Sequence, residues 1–360
     1  MKKFAVVFIL AFSLLSNLMA ASYLLDSRKS IDLSGIKKIR FELDTPNGVM
    51  SFSSVKQDYF FSSGSSGNLV LTLEGSVSSS DKRAVSGLFS DKGGDTLTIR
   101  LCEKGSFYLF LAQGGTAHLS ALIPADYSGS VEIAVSSGYT KVSCLSALSL
   151  DVKSSSGDID GDSILCKEDL SVKASSGNIK IGSVVASDAS ISSSSGNIEI
   201  GELACKKSLS LHASSGRITA RNLASDTFSV TSSTGKVSLD ALVAEKSTVK
   251  ASSGNVTIGN LTGELKCDLS SGDANVSALV LDGPIDIENS SGNITLSLPS
   301  RSAFTASLRT SSGKIRNDFA LVGNVAKNDE QSMAGDANGG GAMILLKASS
   351  GDIKMQKSPE

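Results

Sequence analysis

Over the C-terminal two-thirds of the chain, aliphatic side chains recur at every second position in short runs, and the runs repeat at a nearly fixed interval. A recurring glycine supplies the alignment. Two places after it stand Ile159, Ile179, Ile198, Ile218, Val237, Val256, Ala274, Ile294, Ile315 and Ile353. Four places after it stand Val142, Ile181, Ile200, Ala220, Leu239, Ile258, Val276 and Leu296. Five places before it the column reads Ile133, Val152, Val172, Ile191, Leu211, Val230, Val249, Cys267, Ile287, Leu308 and Leu346. Mostly β-branched or aliphatic residues at period two, with polar residues between them, predict strands and exclude helices.

The glycines close a Ser-Ser-Gly or Ser-Thr-Gly unit at Gly138, Gly157, Gly177, Gly196, Gly216, Gly235, Gly254, Gly272, Gly292, Gly313 and Gly351. Successive spacings are 19, 20, 19, 20, 19, 19, 18, 20, 21 and 38, and the last reads as two periods whose middle marker is lost. Each period is then two or three short strands and one tight corner, where glycine takes a positive φ at little steric cost. One period cannot bury its own aliphatic edge. Neighbours stacked in parallel place like residues over like, so the sequence predicts an all-β parallel β-helix, or β-solenoid, of about 19–20 residues per coil. The first serine of each corner, from Ser136 to Ser349, forms a hydroxyl ladder read as structural.

Composition supports this architecture and narrows the chemistry. The chain of 360 residues holds 69 Ser and 34 Gly, 18 aromatics and no Trp, so its core is built from Ile, Val, Leu and Ala rather than around an aromatic-lined pocket. At 40% hydrophobic residues and a net charge of −2 it is too apolar for a disordered chain, and no basic excess calls for nucleic acid. Lys2 and Lys3 before the apolar run Phe4 to Leu15, then Leu18-Met19-Ala20, read as a signal peptide over residues 1–20 cleaved at Ala20. A dozen apolar residues fall short of the roughly 20 that span a bilayer, and no transmembrane segment is expected in the mature chain. No cysteine near the cleavage site offers a lipid anchor. Of Cys102, Cys144, Cys166, Cys205 and Cys267, at least Cys267 falls on a core column and reads as a small buried hydrophobe.

Residues 22–130 are expected to form irregular β-rich coils and a cap, 131–317 the regular array, 318–341 an insertion loop, and 342–360 the final coil and tail. Asn47-Gly48-Val49 and Asn68-Leu69 after Gly67, with Gly48 and Gly67 19 residues apart, read as two early coils, and residues 76–95 as a loop or cap between them and the strand Leu97–Leu101. The Pro124-Ala125-Asp126-Tyr127-Ser128-Gly129 turn leads into Val131-Glu132-Ile133. That order of an Asn-Gly-Val turn, a Leu-Thr-Ile-Arg-Leu strand, a Leu122-Ile123-Pro124-Ala125-Asp126 turn and repeated Ser-Ser-Gly-(Asp/Asn)-Ile corners resembles the bacterial putative-adhesin domain family of unknown function, over roughly residues 30–356. The resemblance implies a right-handed β-helix, secreted or associated with the envelope. It brings no catalytic residues.

Chemistry must then lie on the outward columns. Three places after the glycine, Lys141, Asp160, Lys180 and Glu199 alternate in sign and stack opposite charges, each exposed pair worth roughly 0.2–1 kcal/mol of register. Four places before it, Lys153, Lys173, His212 and Lys250 form a dilute basic stripe, the candidate surface for a glycan. Asp158, Asp160 and Asp162 lack the spacing of calcium loops, so no metal and no cofactor is expected. His118 and His212 lie far apart, the outward acids stand singly, and no nucleophile elbow occurs, so no catalytic residue is assigned. The function expected is an exported, non-enzymatic, adhesin-like or structural envelope protein that is periplasmic, cell-surface or secreted, with an envelope or host glycan or protein as partner. A carbohydrate-binding or lyase-like β-helix is the alternative. A scaffold that stacks end to end is the third reading.

Overall fold

The computed structural model describes residues 21–43, 55–64, 67–79, 87–101, 112–323 and 330–358. The predicted leader with Ala20, the Asn47-Gly48-Val49 turn and Cys102 lie outside these residues. The described residues form strands joined by turns, as the period-two pattern requires, and none of their elements is a helix. They divide into two compact units between Ile164 and Leu165, inside the repeat array rather than at the expected boundary of 130 and 131.

The first unit holds β1 (Ala21–Asp32), β2 (Lys38–Leu43), β3 (Val55–Gly64), β4 (Asn68–Ser79), β5 (Phe89–Gly93), β6 (Thr96–Arg100), β7 (Ala112–Pro124), β8 (Ser130–Val135) and β9 (Tyr139–Ser143). In one row β5 pairs antiparallel with β6, and β6, β2, β8 and Leu150–Ser154 follow in parallel. In the other row β1, β4 and β7 are antiparallel, and β7, β3 and β9 are parallel. Two expectations are corrected here. Asn68 opens an antiparallel strand and not an early coil. Residues 76–79 continue that strand, and the described part of 87–95 forms the β5–β6 hairpin. Two aromatics anchor this core: Phe41 and Phe61 meet edge to face at 4.8 Å, both buried.

In the second unit, parallel register places Ile179 beside Ile198, Ile198 beside Ile218 and Ile218 beside Val237. The inward columns read from the sequence are the buried ones. Three strands run longer than expected, Ile218–Ser232, Val237–Ser253 and Val256–Ser271, because the backbone stays extended through the bend between two faces, in constant register between the first two and across a bulge after Val243 between the second and third.

The end of the array departs most from the sequence reading. Ile285–Ser291 pairs not with Phe304–Ser312 but with Ala342–Ser350, which pairs in turn with Phe304–Ser312. The second row repeats this order, with Ile353–Lys357 between Ile294–Leu298 and Ile315–Asn317. The last coil in sequence is next to last in space. The gap of 38 residues is therefore an excursion outward and a return, not two periods. The described part of 318–341 is correspondingly no loose loop. Ser332–Ala337 pairs antiparallel with Phe304–Ser312, and Phe319 packs edge to face on Phe304 at 5.1 Å.

The corner glycines are explained by stacking more than by φ. Gly138, Gly254, Gly272, Gly292 and Gly351 have positive φ, but Gly157, Gly196, Gly216, Gly235 and Gly313 do not. What these ten share is closeness. A Cβ on any of them would fall on a backbone carbonyl oxygen of an adjacent layer, which for nine of them is that of a neighbouring corner glycine. The residue after the glycine carries the corner from coil to coil. The side-chain oxygens of Asn255, Asp273, Asn293 and Asp352 accept the backbone N–H of Asp273, Asn293, Asp352 and Lys314 in turn, at 2.9–3.0 Å. Three places before the glycine, buried Ser and Ala alternate through Ala174, Ser193, Ala213, Ser232 and Ala251. Ser193 Oγ accepts the Gly196 N–H at 2.8 Å and donates to the Gly177 carbonyl at 3.3 Å, satisfying peptide groups that stacking removes from water.

Not every buried hydroxyl is satisfied in this way. Ser247 is buried between Phe228 and Leu265 in register, and its hydroxyl has no hydrogen-bond partner. Ser247→Ala removes an unsatisfied buried group and is expected to stabilise the protein by about 1 kcal/mol, read as a rise in urea midpoint at unchanged slope.

Candidate functional site

The stacked corners of the second unit build a groove of about 830 Å³. Its floor is the buried column three places before the glycine: Ser232, Ala251, Leu269, Asn289 and Ala348. One wall is the serine ladder of Ser252, Ser270, Ser290, Ser349 and Ser311. The other wall is the outward column one place earlier, which runs in space as Thr231, Lys250, Asp268, Glu288, Lys347 and Arg309. Lys266 completes the lining, so four cations bracket two carboxylates.

The interleaved final coil decides the charge arrangement. It sets Lys347 against Glu288, with Nζ to Oε1 at 2.6 Å, and this hydrogen bond holds the lysine above its ordinary pKa. Asp286, in register with Lys266, carries a half-buried carboxyl whose Oδ1 has no partner; burial first and Glu288 second push its pKa up. A raised carboxyl means the folded chain binds the proton more tightly than the unfolded one. Asp286 therefore lowers stability as pH rises from about 4 through its folded value. Asp286→Asn is expected to match the wild-type melting temperature below that window and exceed it at neutral pH, as thermal unfolding across pH would show.

The four residues of the predicted stripe are placed unequally. Lys153 lies in the first unit, where Asp151 at 2.5 Å and Glu132 at 3.9 Å engage it and raise its pKa. Lys173, His212 and Lys250 share one column of the second unit, with Ser192 and Thr231 between them, and Lys250 alone lines the groove. Sequence reasoning missed the juxtaposition of Lys347, Arg309 and Glu288, because reading the column in chain order puts Arg309 where Lys347 stands. It also missed an outward aromatic pair in the first unit. Phe60 lies edge to face with Tyr139 at 6.4 Å, and the Tyr139 hydroxyl donates to Asp160 at 2.8 Å. Burial and Asp160 push that phenol up to about 12. Three of the cysteines are shielded from reaction: Cys166, Cys205 and Cys267 are buried, and burial raises the Cys205 thiol to about 12 and the Cys267 thiol further, whereas Cys144 is exposed.

A family model described as Toastrack DUF4097 matches residues 48–209 and again residues 201–356. The chain belongs to the Toastrack family. Within that family the first match takes in the antiparallel strands β4 to β7 and the early corners but not β1, and the second takes in the groove. No curated protein matches this chain. Among solved structures, a putative adhesin from Parabacteroides distasonis is similar at 12% identity, over 92% of this chain and 97% of that one, with a TM-score of 0.38. A putative cell adhesion protein from Clostridium sporogenes is similar at 11% identity, over 93% and 100%, with a TM-score of 0.22. A putative lipid binding protein from Parabacteroides distasonis is similar at 15% identity, over 93% and 97%, with a TM-score of 0.26. Likeness this distant bears on neither ligand nor activity for the Toastrack chain.

Proposed function

We propose that this Toastrack protein is an exported, non-enzymatic component of a bacterial envelope, a right-handed β-solenoid of about 19–20 residues per coil that acts in an adhesin-like way. The observation that carries the reading is the groove. Its walls are ladders of like side chains contributed by successive coils, a form suited to holding an extended partner along the stack rather than to gathering a few groups around one reacting atom. The leader read over residues 1–20 supports export. Protease shaving of intact cells, with a periplasmic protein as leakage control, tests it. Loss of the protein while the control survives is expected. Survival until the outer envelope is opened overturns surface adhesion.

The four cations and the serine wall favour one class of extended partner, an acidic polysaccharide. In affinity gels the protein is expected to be slowed by polygalacturonate and not by neutral dextran, with Lys250→Glu and Lys347→Glu each relieving the delay. Equal mobility in both gels would exclude this class.

A further inference from the structure

The edges of the described sheets are not protected alike. At one end of the second unit, Ser332–Ala337 is short, and its outer edge is bridged by Val322 through two backbone hydrogen bonds with Asp336, at 2.8 and 2.9 Å. In the first unit, β5 has five residues. By contrast β1 runs for 12 residues and pairs along its whole length with β4 on one side only; among the described residues no strand covers its other edge. Natural sheets blunt edges of this length, because a row of open N–H and C=O groups templates another strand.

The sequence of β1 fits one strand in particular, a second copy of itself. Its odd-numbered side chains face inward and its even-numbered ones outward, with Leu24 79% exposed. An antiparallel two-fold pairing that keeps the faces aligned must set residues of equal parity opposite each other. An axis at Asp26 or at Arg28 would oppose like charges. An axis at Ser27 sets Asp26 against Arg28 twice, and Tyr23 against Ile31 twice on the half-buried inner face. Within one chain, moreover, Asp26 lies opposite the exposed Glu74 of β4, a like-charge pair that the Arg28 of a second copy would offset.

We infer that two copies of this chain associate through β1, antiparallel about Ser27, into a closed dimer. An isologous edge pairing uses up both open edges and stops at two, in contrast to coil-on-coil stacking, which has no natural end. The inference is independent of where the protein resides.

Sedimentation velocity of the purified protein over a wide concentration range tests it. The wild type is expected to pass from monomer to dimer and no further. Asp26→Arg alone and Arg28→Asp alone each make both 26–28 pairs repulsive and are expected to weaken association about tenfold or more. The double variant restores the charge pairing and the dimer, and an equimolar mixture of the two single variants is expected to associate where neither does alone. A protein that stays monomeric throughout, continues past two copies, or dimerises indifferently to these reversals overturns the inference.

Discussion

Gly235→Ala is expected to lower stability by about 3 kcal/mol, although Gly235 does not have the positive φ that disfavours a side chain. The added methyl would fall on the Gly216 carbonyl oxygen, and that oxygen belongs to a corner stacked on another, so the collision cannot be relieved by a single rotation. Separating adjacent coils to admit it would also stretch the pairs that flank the corner, Ala213 with Ser232 and Ile218 with Val237. Gly93→Ala provides the comparison. Nothing lies within 4 Å of a Cβ built there, and a change within about 0.5 kcal/mol is expected. Urea denaturation of the two variants distinguishes the accounts: comparable small losses would mean that the corners need glycine only where φ is positive.

Phe319→Ala should cost about 3 kcal/mol or more within the second unit. The ring is buried against Phe304, itself fully buried, and holds the start of the return segment over the outermost coil. Thr305 Oγ1, donating to Asp336 at 2.6 Å, fastens the strand that follows. Without the ring, a cavity opens beneath the pairing of Ser332–Ala337 with Phe304–Ser312, and faster amide exchange in those two strands should accompany the lost stability. Val322→Ala, at an exposed site nearby, should change stability by less than about 0.5 kcal/mol. If Phe319→Ala behaved like Val322→Ala, the segment would be the dispensable loop that its composition suggests.

Asp286→Asn and Ser247→Ala address smaller effects of the same kind. In both, a polar atom lacks a partner because the stack leaves it facing carbon or like charge. Neither feature is visible in a column of residue types. Ser247 sits where the register supplies only apolar neighbours, Phe228 and Leu265.

Sequence alone determined the strand period, the parallel stacking of the regular coils and the inward columns from Ile159 to Ile258, because side-chain alternation and a fixed repeat are local properties that burial must respect. It also located the corner glycines, though for a partial reason: φ is a property of one residue, and the collision that excludes a side chain at Gly235 belongs to two coils. Which coil lies beside which was decided by the tertiary structure. The column of Lys250, Asp268, Glu288, Arg309 and Lys347 reads the same in either order, and only the return of Ala342–Ser350 into the layer beside Ile285–Ser291 puts Lys347 on Glu288 and makes the groove. The antiparallel strands β1, β4 and β7 were hidden for the same physical reason. Alternation says which face a side chain takes and nothing about the direction of the neighbouring strand, which is set by the backbone hydrogen bonds that form once distant segments meet.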